Sequence, residues 1–169
     1  MTETNRHLGK YRGTVLNNVD PMGIGRIQAQ VPDVFGSTPS SWAMPVLPVA
    51  GPQMGTYVVP PVGAGVWVEF EQGDKDYPLW TGCWWGSRAE VPPLAFTGPP
   101  ASPNILLQTT GQQSIVLSDQ PGLGITLKAA GGAMITISDS GIIISNGQGA
   151  SISLVGPTVT VNQGALTVT

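Results

Sequence analysis

The sequence has one histidine, one cysteine and, beyond residue 100, only three charged side chains: Asp119, Lys128 and Asp139. A lone Cys83 excludes an intramolecular disulfide, and within "TGCWWG" it reads as a small core residue. A lone His7, beside an amino terminus expected to be flexible, leaves a Ser-His-Asp or Cys-His arrangement almost nothing to use. No histidine or cysteine follows Cys83, so no histidine-bound metal is expected in the second half. Helix signals are equally scarce. Among 169 residues there are 23 Gly and 16 Pro, and no window of a dozen residues keeps apolar positions at i, i+3, i+4 and i+7 without a breaker. No run approaches the ~20 apolar residues of a membrane span. The opening MTETNRHLGK lacks the apolar core of a signal peptide, so the chain is expected to be made in the cytoplasm without one. A net charge of -3, with basic residues scattered rather than clustered, argues against a nucleic-acid or anionic-membrane surface.

What is present is unevenly distributed. All eleven aromatic residues lie between Tyr11 and Phe96, and fourteen of the seventeen charged residues lie in the first 90 positions. The two halves meet at the proline-rich "VPPLAFTGPPASP", residues 91–103, where extended backbone is favoured. The expected layout is a barrel over 1–95, a linker over 96–103 and a shaft over 104–169. In the first half, strands are expected at Tyr11 to Asn17, Gly25 to Val31, Ala43 to Pro48, Tyr57 to Val59, Gly65 to Glu71 and Leu79 to Trp84. Turns at "NNVDPMGIG" and "EQGDKDYP" separate some of them. Short antiparallel strands lose their edges most simply by closing into a small barrel. In "GVWVEFEQ", Val66, Val68 and Phe70 point to one face and Trp67, Glu69 and Glu71 to the other.

Three blocks in order, "GRIQAQVPDVFG", "SSWAMPVLPVAGPQMG" and "VVPPVGAGVWVEFEQGDKDYPLWTGCWWG", resemble the oligonucleotide/oligosaccharide-binding (OB) barrel at the front of contractile-tail spike proteins. That family includes phage baseplate assembly protein V, the spike part of VgrG and the spikes of extracellular injection systems. The resemblance covers roughly residues 9–95. One departure is Ala64, where many relatives carry an acidic residue.

The second half reads without that resemblance. Apolar pairs two residues apart recur eight times: Ile105/Leu107, Ile115/Leu117, Ile125/Leu127, Ile135/Ile137, Ile142/Ile144, Ile152/Leu154, Val159/Val161 and Leu166/Val168. Their first members are 10, 10, 10, 7, 10, 7 and 7 residues apart. Such a repeat is a stack of strands, each with one apolar pair inward and Ser, Thr or Asn outward. Two inward residues per strand are too few for one chain to close a core alone. Three chains around a threefold axis would supply it, each face being woven from all three in rotation. The expected fold class is therefore all-β, an N-terminal OB-fold barrel followed by a C-terminal intertwined trimeric β-helix. The seven pairs from Ile105 to Val161 form the expected trimer core. The resemblance implies the same, since these spikes carry a trimeric β-helix behind the barrel.

Other readings are open to weighing. Glu69, Glu71, Asp74 and Asp76 offer paired carboxylates for glycoside hydrolysis, or simply a solvated hairpin. "GIGR" and "GAGVWVEF" precede strands and read as turns. Trp67, Trp80, Trp84 and Trp85 would suit a glycan- or nucleic-acid-binding barrel, but acidic residues surround them. "TVT" at 158–160 and 167–169 suggests an adhesive or ice-binding solenoid, which unequal spacings disfavour. The leading expectation is a non-enzymatic homotrimeric spike at the centre of a baseplate in a phage tail or contractile injection system, without cofactor, contacting the target envelope transiently as it punctures it. The resemblance implies a baseplate hub protein at the barrel end. Leu166, Thr167, Val168 and Thr169 leave an uncovered strand edge, where a tip protein of the PAAR kind known from relatives is expected to dock.

Overall fold

The computed structural model describes residues 6–168 and divides into two compact units, Met1–Glu90 and Val91–Thr169. In the first, β1 (Tyr11–Asn17), β2 (Gln28–Gln30), β3 (Met44–Pro45), β6 (Gly65–Phe70) and β7 (Pro78–Trp84) form a sheet in the order β2-β1-β6-β7-β3. One turn of helix, α1 (Pro32–Phe35), begins on a proline that suits a first helical position. A small hairpin, β4 (Ala50–Gly51) and β5 (Met54–Gly55), stands apart. β3 pairs with β7 in parallel, whereas the other neighbours are antiparallel. The sheet closes on itself where Ile27 and Ala43 exchange backbone hydrogen bonds of 3.2 and 2.8 Å. The result is a five-stranded barrel of the kind the resemblance implied.

The alternation along β6 decides what fills it. Val66 and Val68 are fully buried and Phe70 nearly so, with Val15, Ile27, Ala29, Val31, Ala43 and Trp80 completing the core. Trp80 enters this core because its indole N–H finds the Gly25 carbonyl at 3.0 Å. Gly65 is required by a close approach. The Trp84 ring lies across it, and a Cβ there would come within 2.7 Å of that ring.

Three local expectations are corrected. Tyr57 to Val59 is not a strand, because Pro60 and Pro61 follow and cannot donate to a ladder; the short β4–β5 hairpin forms instead. Cys83 is exposed rather than core. Its strand loses register opposite the Trp67/Val68 step, and Thr81 is bulged out before Cys83 is reached. His7 is held, with its backbone N–H on the Gly73 carbonyl and its ring against Tyr11 and Phe70.

The second unit is one eight-stranded antiparallel sheet in which chain order and spatial order coincide. Its strands are β8 (Ile105–Gln108), β9 (Ser114–Leu117), β10 (Ile125–Lys128), β11 (Met134–Ser138), β12 (Gly141–Ser145), β13 (Ser151–Val155), β14 (Thr158–Val161) and β15 (Leu166–Val168). The uneven spacing is a matter of turns. The connections at 139–140 and 156–157 have two residues, and those at 109–113, 129–133 and 146–150 have five. Connections this short join neighbouring antiparallel strands directly. Hydrogen bonding therefore runs between consecutive strands of one chain. The all-β, two-part architecture is the one expected.

Candidate functional site

The register of that sheet gathers the eight apolar pairs. Ile105 faces Leu117, which faces Ile125, and so on through Ile137, Ile142, Leu154, Val159 and Val168. The second column runs Leu107, Ile115, Leu127, Ile135, Ile144, Ile152, Val161 and Leu166. Both columns are unbroken across eight strands, and the pairs from Ile105 to Val161 share a face, because residues two apart in a strand point the same way. Seven pairs from Ile105 to Val161 and the final pair at Leu166 are thus brought together by pairing register, not merely by spacing.

Within a single chain this face is bare. Ile105 and Leu107 are each 67% exposed, and even Ile142, in mid-sheet, is 36% exposed. The opposite face carries a central column of Leu106, Val116, Thr126, Thr136, Ile143, Ser153 and Thr160. There Thr126 and Thr136 are only 7% and 6% exposed. Their hydroxyls lie 3.4 Å apart, and Thr126 donates to the Leu123 carbonyl at 2.8 Å. A sheet that covers Thr126 and Thr136 while leaving Ile105, Leu107, Ile125 and Leu127 open has much of its apolar side in water. An apolar area of this extent exceeds what an isolated protein carries without a partner. Thr136, expected to face outward into water, is thus covered.

The first unit contains the pairs that composition alone did not single out. Asp20 and Arg26 close the β1–β2 loop. Arg26 Nε and Nη2 donate to Asp20 Oδ1 at 2.9 and 2.7 Å, while the backbone N–H groups of Met22, Ile24 and Arg26 donate to the same carboxylate. The Arg26 guanidinium also stacks 5.3 Å from the Trp42 ring. The Arg26 hydrogen bond, assisted by those backbone donors against a desolvation that opposes it, holds the Asp20 carboxyl well below the usual carboxylate range. Its depressed pKa makes its stabilisation complete at neutral pH and lost as pH falls below about 4 toward the folded-state value. Asp20→Asn is therefore expected to lower the barrel's melting temperature at pH 7. The gap from wild type should narrow at pH 3, as checked by thermal melting at both values.

Two members of the acidic set are held by local contacts. Glu69 pairs with Lys10 at 2.5 Å, and Asp74 accepts the Asp76 backbone N–H at 3.0 Å inside the β6–β7 turn. Among the described residues no group of three or more His, Cys, Asp or Glu could hold a metal ion. Of the four tryptophans proposed as stacking platforms, Trp80 is core, and Trp84 donates its N–H to the Val66 carbonyl at 3.2 Å. Arg12 sits over both the Trp67 and Trp84 rings, at 5.6 and 5.0 Å. Trp85 is exposed. No helix among the described residues is long and apolar enough to cross a membrane.

Comparison with known proteins agrees with both units. Residues 11–85 match the family model of the type VI secretion system/phage-baseplate injector OB domain. Residues 104–167 match that of the phage baseplate V C-terminal trimerisation domain. A search of curated proteins finds no match. The five-stranded barrel is thus an injector OB domain, the bare apolar sheet is a trimerisation domain, and the chain belongs to the phage baseplate V family of spike proteins.

Proposed function

We propose that three copies of this chain form a non-enzymatic spike that punctures a target envelope and carries a separate tip protein. The observation that carries this reading is the pair of unbroken apolar columns. Three such sheets, set as the faces of a prism with their columns turned to the axis, bury every pair against those of the other two chains. Eight strands about 4.8 Å apart give a shaft on the order of 40 Å long. Its strands lie in continuous ladders, so bending it requires several to break together. Function then rests on stiffness, and the layout is a collar over 1–95, a linker over 96–103 and a shaft over 104–169. The chain is made in the cytoplasm and assembled into a phage tail or an injection particle, where the collar docks on a separate hub protein. Deleting 1–95 should leave a fragment that is not recovered in assembled particles.

The tip is expected at the last strand. Among the described residues β15 pairs with β14 alone, and Leu166 is exposed there. Thr169 lies outside the described residues. An uncovered edge with apolar side chains invites strand addition, and one PAAR-type protein seated on three such edges would cover them. Changing Leu166 and Val168 to Asp should abolish tip binding and, because only the terminal rung of the columns is altered while seven rungs remain, leave the trimer largely intact though less stable. Stoichiometric tip protein on particles carrying both changes would refute this part of the proposal.

A further inference from the structure

Three connections of five residues join strands of the second unit, and each closes with a backbone hydrogen bond from the N–H of its first residue to the carbonyl of its last. Their first residues are Thr109, Ala129 and Asn146. Ala129 shows that closure needs no side-chain acceptor, its N–H lying 2.8 Å from the Ala133 carbonyl oxygen. Thr109 adds one such acceptor, its hydroxyl taking the Gln113 N–H at 3.2 Å. Asn146 collects two donors. Its Oδ1 accepts the N–H groups of Gln148 at 2.8 Å and Ala150 at 3.0 Å.

The residue after Asn146 is held to glycine by packing. Gly147 stands at φ 73°, and a Cβ on it would come within 2.6 Å of the Gly132 carbonyl carbon in the neighbouring connection. Its N–H donates to Ser145 Oγ at 3.1 Å. Asn146 is the one asparagine of the chain that glycine follows, and the connection from Asn146 to Ala150 is exposed throughout.

We propose that Asn146 is a site of spontaneous deamidation in the folded protein, and that it converts to aspartate with little isoaspartate. The Gly147 nitrogen attacks Asn146 Cγ, its proton, already bonded to Ser145 Oγ, passes to solvent, and the side-chain nitrogen takes a proton from solvent and leaves as ammonia. A succinimide ring remains. The negative charge that develops on Oδ1 meets two backbone donors already aimed at it, as in an oxyanion hole. Glycine places no side chain in the way of the attacking nitrogen. Water then opens the ring. Addition at Cγ breaks the new bond and restores the ordinary main chain with an aspartate, whereas addition at the main-chain carbonyl carbon gives isoaspartate, with an extra methylene in the backbone. An aspartate keeps both N–H donors and, being ionised, accepts them more strongly. The extra methylene would push Gly147 off its place against Gly132, so the folded connection favours aspartate.

The test incubates the purified full-length protein at mildly alkaline pH, folded and in denaturant, and reads residue 146 by mass spectrometry that separates aspartate from isoaspartate. The folded protein should acquire an acid at 146 with aspartate exceeding isoaspartate several-fold, and the denatured chain should show the reverse ratio. Asn146→Thr, which copies Thr109, should fold and gain no acid there. An amide that persists at 146 in the folded protein while the denatured chain converts would overturn the proposal, and so would a folded product that is mainly isoaspartate.

Discussion

Ile137→Asp is expected to abolish the trimer, while Lys128→Asp leaves it intact. Ile137 stands in mid-column between Ile125 and Ile142. Threefold symmetry places three carboxylates together wherever one is introduced on that face. Each unpaired buried charge costs several kcal/mol, and repulsion among the three adds to it. The gain opposing this is limited. Full burial of an Ile side chain contributes about 1.5–3 kcal/mol, and roughly half of that is available where the chain already covers the rest. Lys128 ends β10 on the opposite face and is exposed. Native mass and melting temperature of the two variants measure the contrast. Equal behaviour would place the columns away from the axis.

A second large effect is expected from one added methyl group. Gly141 opens β12 at φ 137°, and a Cβ there would lie inside contact distance of the Leu154 carbonyl oxygen and 3.2 Å from Val155 Cγ2. The carbonyl belongs to the adjacent strand, so relief requires the β12–β13 ladder to part. Gly131, in the 129–133 turn, has open space around its own Cβ position and no positive φ. Gly141→Ala should therefore destabilise the chain by at least several kcal/mol, in the range reserved for backbone strain in packed structure. Gly131→Ala should change stability by less than about 0.5 kcal/mol. Denaturant unfolding of both variants checks the difference.

The shape of the molecule was legible wherever side-chain type and spacing carry the signal. The alternation of Val66, Val68 and Phe70 identified the barrel wall, and the eight apolar pairs identified the bare face of the sheet. Pairing partners were less legible. Spacing shows which residues share a face but not whose strand lies alongside, and only the short turns settle that consecutive strands pair. The burial of Thr136 was invisible for a related reason. A mid-strand threonine reads as outward and wet, yet its neighbours on the same face and the Thr126 hydroxyl cover it. Asp20 and Arg26 are six apart in a loop, and nothing in their types announces that the carboxylate collects three backbone N–H groups as well as the guanidinium. Cys83 was misplaced because a bulge cannot be read from composition.

The central claim is that the bare face of the sheet is covered by two further copies of the same chain. Light scattering of the purified full-length protein tests it most directly. The account predicts a single species of three times 17.5 kDa, about 52 kDa, while a folded, monodisperse species of 17.5 kDa would contradict it.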